Sequence, residues 1–193
     1  MRIIAGKLKN RAVRLPKCAD WRPTTGQLRE AVFNISQTAI EGAHALDLFA
    51  GCGSMGLEAL SRGAQSATFV ESNRLAIRSI YFNIDNLGVA ALSHLVQSDV
   101  LAALRVFTKQ GKSFDWIYVD PPYGDLGPAS QPYGPLVLGI IDAHDLLTRN
   151  GSLFLEQSAA TALPEPQLHN LTRKSCRRLG RSLLLHYVHT SRS

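Results

Sequence analysis

Residues 116–125 read WIYVDPPYGD, an apolar run that stops at an acid, two prolines and a tyrosine. Neither proline donates a ladder hydrogen bond and each fixes φ, so a strand should end here. Taken alone, the segment is a turn that carries an acid. Its groups also suit a particular chemistry. The Asp120 carboxylate and the Pro121 carbonyl are two acceptors, the prolines (Pro121 and Pro122) fix the carbonyl's direction, and Tyr123 is a flat ring beside them. An exocyclic amino group on a base is a poor nucleophile because its lone pair is delocalised into the ring. Two acceptors aimed at its N–H bonds favour a more tetrahedral nitrogen, and an aromatic ring can stack on the base. Asp120 is then the group placed to receive the proton.

A second motif lies upstream. In DLFAGCGSMGLEAL, Gly51, Gly53 and Gly56 fit G-x-G-x-x-G, and Glu71 follows about 20 residues on, where a ribose-binding acid belongs. Residues without Cβ atoms let a loop approach a ligand and let a helix pack close to a strand. The pattern points to a nucleoside cofactor without saying which. NAD would place a pyrophosphate at the helix N-terminus. S-adenosylmethionine would place an ammonium there, and Asp47 could answer that charge directly or by ordering the loop. Asp99 could accept from an adenine amino group or could cap the next helix. Cys52 sits inside the loop, where a small side chain is explanation enough.

The elements that must position these groups alternate along the chain. Short apolar runs at 45–50, 66–71, 94–98, 114–119 and 151–157 read as strands, and helical patterns at 54–62, 73–87, from 100 onward and through VLGIIDAHDLL separate them. Such alternation predicts an α/β fold, an open and mostly parallel Rossmann-like sheet with helices on both faces. The tail offers two further strands, 168–176 and 182–189, as an antiparallel pair. Before the alternation, residues 1–20 read as a short extended pair around a Gly-Lys turn. RPTTGQLREAVFNI then reads as a helix capped at Thr24, with Gln27 completing a capping box and Gly42 as the stop.

With 193 residues, 45% hydrophobic and 19% charged, the chain fits a single globular domain, a basic extension and helix over 1–40 and a Rossmann-like core over 43–193. No apolar run reaches the roughly 18–20 residues of a membrane span. The three cysteines lack CxxC spacing and the histidines lack metal-ligand spacing, so a cytoplasmic protein without a metal is expected. The net charge of +6 is concentrated at the ends, in Arg2 to Arg22 and in Arg173 to Arg181. Two basic flanks on a neutral centre resemble a nucleic-acid footprint.

DLFAGCGSMG, FVES, SDV and DPPY in this order resemble an S-adenosylmethionine-dependent amino-methyltransferase. GKLKNR and RPTTGQLREAVFNI narrow the resemblance to the RsmD family, bacterial enzymes acting on the N2 amino group of a guanine in 16S rRNA. It covers nearly the whole chain, weakening after about residue 157. The resemblance implies a class I methyltransferase fold, a seven-stranded sheet with a reversed last strand. It implies that Asp47, Phe49, Gly51, Gly53, Glu71, Ser72, Asp99 and Val100 line the S-adenosylmethionine site, and that Asp120 to Tyr123 bind the target base. Its substrate would be 16S rRNA in the small ribosomal subunit or an assembly intermediate. Arg22, Thr24 and Arg29 are the candidates for RNA contact. The loop after DPPY, through residue 135, departs from the family in its length and its Gly and Pro content.

Other classes share parts of this pattern. A DNA adenine-N6 or cytosine-N4 methyltransferase would use both motifs, but the chain shows no evident domain for reading duplex sequence. A nicotinamide dehydrogenase gives DPPY no role. A non-catalytic RNA-binding assembly factor needs only the basic flanks. A cytosine-C5 enzyme would want a Pro-Cys pair, which is absent.

Overall fold

The computed structural model describes residues 1–16, 24–122, 132–160 and 166–190. Seven strands form one sheet: β1 (His44–Leu48), β2 (Ser66–Glu71), β3 (Ser93–Gln97), β4 (Phe114–Val119), β5 (Leu147–Ser158), β6 (Leu171–Leu179) and β7 (Ser182–His189). Their order is β3-β2-β1-β4-β5-β7-β6. β1 to β5 pair in parallel, whereas β7 runs antiparallel between β5 and β6. The reversed last strand is thus inserted into the sheet. The chain starts at the centre, runs outward to β3, and returns to place β4 on the other side of β1. The strand order therefore reverses between β1 and β4, and open α/β sheets bind ligands at the carboxyl ends of such a pair.

Alternate strand residues feed two cores. On one face Phe69, Trp116, Tyr118 and Phe154 meet α1 (Gly26–Ile35), α2 (Ser54–Ser61) and α3 (Arg74–Leu87). On the other, Leu48, Ile117, Val119 and Leu153 meet α4 (Val100–Lys109) and α5 (Tyr133–Ala143). Phe33 of α1 stacks on Trp116 at 5.3 Å between ring centroids, and the Trp116 Nε1–H donates to Ser36 Oγ at 3.0 Å. Truncating either ring to alanine would cost about 3–5 kcal/mol. Among the described residues no helix is long and apolar enough to cross a membrane.

Several boundaries differ from the sequence pattern. The first helix ends at Ile35, well before Gly42, and Ser36 closes it by donating its hydroxyl to Val32 O at 2.9 Å. Its N-cap is Thr25, whose Oγ1 accepts from the Leu28 N–H at 3.3 Å; the cap falls one residue later than the Thr24 expected from the capping box. α5 stops at Ala143, because Asp145 takes a left-handed φ of 49° and Leu147 already pairs in β5.

The described N-terminal residues, 1–16, form one antiparallel bridge, Arg2 to Ala12, rather than a ladder. Side chains of the core fasten the segment instead. Glu58 of α2 accepts from the Ile4 and Ala5 amides at 2.8 and 3.0 Å, and Ser61 Oγ accepts from the Leu8 amide at 2.9 Å. Asn83 of α3 accepts from the Arg14 amide at 2.8 Å and donates to the Arg14 carbonyl at 2.9 Å. Residues 1–16 are thus docked along α2 and α3.

Candidate functional site

At the carboxyl end of β1 the backbone turns through three left-handed residues, Phe49 (φ 59°), Gly51 (φ 60°) and Gly53 (φ 79°). The glycines tolerate this conformation, but an aromatic residue there is strained by about 1–3 kcal/mol, and such strain gathers at ligand sites. The Phe49 ring meets the edge of Tyr133 at 5.5 Å. Gly56 serves packing instead. A Cβ there would overlap the Phe69 ring, so the glycine lets α2 lie close on β2.

Two acids shape the loop. Glu71 is buried at the end of β2, where one carboxylate oxygen accepts from the Gly51 amide at 2.8 Å. Its other oxygen accepts from the Ser72 and Asn73 amides at 2.9 and 2.8 Å. A carboxylate has about four lone-pair sites, so one remains on the oxygen that faces the loop. Asp47, 2% exposed, accepts from the Gly56 amide at 2.9 Å. It supplies the first turn of α2 with an acceptor that the N-cap, Gly53, cannot provide. Burial raises its pKa to about 8; the Gly56 hydrogen bond opposes this and the nearby Glu71 charge adds to it.

Asp99 is exposed and caps α4, accepting from the Ala102 amide at 3.1 Å, while Val100 beneath it is buried. Both stand on the same sheet edge as the glycine loop, after β3.

β4 delivers the second motif next to the first. The Asp120 amide donates to the Leu48 carbonyl at 3.4 Å, so the acid stands one strand away from the glycine loop. Pro121 is buried and Pro122 exposed. Burial, then the charges of Glu156 and Asp47, hold the Asp120 pKa well above the usual carboxylate range. Glu156 is itself engaged below, accepting from the Tyr118 hydroxyl and from Ser182 Oγ, both at 2.7 Å.

The N-terminal segment returns to this point. Because Thr25 takes the cap, Thr24 is free to donate from Oγ1 to Asp120 Oδ2 at 3.5 Å, which lowers the Asp120 pKa against the larger raising effects. Arg29 does not face solvent, as an RNA-contacting residue should. It is 5% exposed, donates to the Arg2 carbonyl at 3.1 Å and lies 3.7 Å from Glu58, so it serves the packing of the arm. Arg22, Tyr123 and most of the loop through 135 lie outside the described residues.

Sequence reasoning missed Glu58, Asn83 and Glu156. Asn83 is fully buried and also donates to the Cys52 carbonyl at 3.0 Å, which joins the arm to the glycine loop. A signal existed, since it is a polar residue on the apolar face of α3, between Ile80 and Ile84. Among the described residues, no three His, Cys, Asp or Glu side chains are grouped to hold a metal ion.

A family model described as Conserved hypothetical protein 95 matches residues 1–188. The chain is 32% identical over 165 residues to YlbH of Bacillus subtilis, covering 86% of each. It is 37% identical over 123 residues to Ribosomal RNA small subunit methyltransferase D of Escherichia coli, covering 64% of this chain and 60% of that protein. The solved structure of yhhF from Escherichia coli superposes with a TM-score of 0.81 at 26% identity, covering 100% of this chain and 99% of that one.

Proposed function

The chain belongs to the Conserved hypothetical protein 95 family, and from that premise we propose that it is an S-adenosylmethionine-dependent rRNA methyltransferase acting on the N2 amino group of a guanine in 16S rRNA of the small ribosomal subunit. The observation that carries this reading is the adjacency of Asp120 to the glycine loop, one strand apart at the switch point of the sheet.

The donor set suits S-adenosylmethionine better than a dinucleotide. A pyrophosphate at the N-terminus of α2 would compete with Asp47 for the Gly56 amide and meet an acid there. An ammonium is instead attracted to that acid. Glu71 keeps an acceptor position toward the loop for a ribose hydroxyl, and Asp99 stands after β3 for the adenine amino group. Phe49, Gly51, Gly53, Ser72 and Val100 complete the proposed lining. Bound there, the cofactor supplies an electrophilic sulfonium methyl group.

This chain's residues do the rest. Asp120 and the Pro121 carbonyl accept the two N–H bonds of the amino group and localise its lone pair, while Pro122 stiffens the turn and Tyr123 stacks on the base. When the amino nitrogen takes up a methyl group, Asp120 would receive the one proton that the nitrogen releases. The raised pKa of Asp120 makes it a better proton acceptor than an ordinary aspartate. Thr24 orients its carboxylate, and Arg22 is proposed to contact the RNA backbone.

The test is methylation with labelled cofactor, offering small subunits, naked 16S rRNA and duplex DNA, followed by nucleoside mass spectrometry. N2-methylguanosine in 16S rRNA is expected, and Asp120→Ala should abolish it while binding S-adenosylhomocysteine normally. Label in DNA alone, or in another nucleoside, would overturn the substrate assignment.

A further inference from the structure

The outer face of α3 does not look like an ordinary solvated surface. Its inner face buries Ile77, Ile80, Ile84 and Leu87. On the opposite side Tyr81 is 61% exposed and Phe82 46%, among the few large hydrophobic side chains left open in the described residues. Arginines surround these rings. Arg74 and Arg78 are exposed one turn apart on α3, and Arg78 precedes Tyr81 and Phe82 by three and four positions, which puts them on one face. Asp85 is the only acid in the helix.

The docked N-terminal arm adds two more cations. The Arg14 guanidinium lies over the Phe82 ring, 4.8 Å from its centroid, and Arg11 donates to the Asn86 carbonyl at 2.6 Å. Asn83 holds the Arg14 backbone from beneath. Four guanidiniums and two rings, Tyr81 open and Phe82 capped by Arg14, are therefore carried on docked backbone rather than on a free tail. The patch also has a direction. α3 begins just after Glu71, at the edge that holds the glycine loop, and runs about 12 Å down the side of the domain from Arg74 to Phe82.

We propose that this face, formed by Arg11, Arg14, Arg74, Arg78, Tyr81 and Phe82, is a docking surface for an unpaired RNA segment flanking the target nucleotide. The arginines neutralise successive phosphates and Tyr81 stacks on an exposed base. Four cations against one acid favour a polyanion over a protein surface of mixed charge. The open Tyr81 ring favours unpaired bases over duplex, whose base faces are already stacked. The proposal deepens the rRNA methyltransferase reading and rests on it.

Tyr81→Ala and the double variant Arg74→Gln/Arg78→Gln change exposed side chains only, so both should fold. Binding of a fluorescently labelled single-stranded RNA is followed by anisotropy at several salt concentrations, beside calorimetry with S-adenosylhomocysteine and kinetics on 16S rRNA. Tyr81→Ala should weaken single-stranded RNA binding by about 5- to 150-fold. The double variant should flatten the log–log salt slope by about 1.4, for two phosphates. In both, the RNA KM should rise while cofactor affinity and kcat at saturating RNA hold. If the wild type methylates RNA and the variants match it in KM and RNA affinity, the docking surface is overturned and the enzyme reading stands. If the wild type neither binds nor methylates RNA, the enzyme reading fails and the proposal with it. If Tyr81→Ala alters only self-association, or only activity on assembled subunits and not naked RNA, the patch docks protein and the RNA assignment is wrong.

Discussion

Replacing Glu71 by Gln tests whether the acid's main work is to hold the glycine loop. Its carboxylate accepts three backbone amides, from Gly51 at 2.8 Å, Ser72 at 2.9 Å and Asn73 at 2.8 Å, and the residue is buried. A glutamine has one accepting oxygen. If that oxygen serves Ser72 and Asn73, the NH2 group faces the Gly51 N–H, donor against donor. A charge-assisted hydrogen bond is worth about 1.5–3 kcal/mol, and a buried donor left unsatisfied costs about 1–3 kcal/mol. These overlap, so a net loss of about 2 kcal/mol is a conservative figure. The loop escapes the clash by turning Gly51 outward, and the ligand must reverse that turn to bind. Calorimetry with S-adenosylhomocysteine should show affinity reduced by about 30-fold. Any part of the loss borne by the free protein lowers its unfolding midpoint, by about 4–8 °C if it bears all of it. A Glu71→Gln variant that binds within about threefold of wild type, with an unchanged midpoint, would refute the reasoning.

Asp47 should make the free protein less stable as pH rises. Its native pKa of about 8 lies above the ordinary value of 3.8, so between these the native state holds a proton that the unfolded chain has lost, and its stabilising effect fades toward pH 8. Urea unfolding at pH 5 and pH 8 should show a larger fall for wild type than for Asp47→Asn, which keeps an acceptor for Gly56; equal falls would count against the raised pKa. Thr24→Val removes the hydroxyl that lowers the Asp120 pKa, so the acidic limb of the kcat–pH profile should move to higher pH, and a shift to lower pH would contradict the geometry. Asn83→Ala breaks three hydrogen bonds between the arm and the glycine loop and should cost about 2–4 kcal/mol in urea unfolding. Faster proteolysis near Arg14 should accompany it; unaltered cleavage there would mean that the arm is held by its other contacts alone.

The strands and most helices were legible because their periods are local: FDWIYV and SATFVE lie where their apolar runs say. The two motifs were legible for the same reason, since each is a short run at a strand end. What depended on partners far along the chain was not. Thr24 and Thr25 compete for one cap, and only the approach of Asp120, 96 residues later, shows why the second takes it. Arg29 reads as a surface cation until Glu58 and the Arg2 carbonyl close around it. The pair Leu146–Leu147 continues a helical pattern in HDLL, yet the strand pairing of Phe114 with Leu147 overrides it.

The inserted strand has a consequence for how the molecule assembles during synthesis. Among the described residues β6 pairs only with β7, and β7 is made after it, so the outer half of the sheet cannot form strand by strand. Until β7 emerges, β5 presents a bare edge open to edge-to-edge association, and β6 lacks the hairpin partner that follows it across a two-residue turn. Ser182, which meets Glu156 beneath the Asp120 site, belongs to that last strand. The electrostatic setting of Asp120 is therefore completed only once β7 has been made, and a nascent chain carries the glycine loop well before it carries the finished acid.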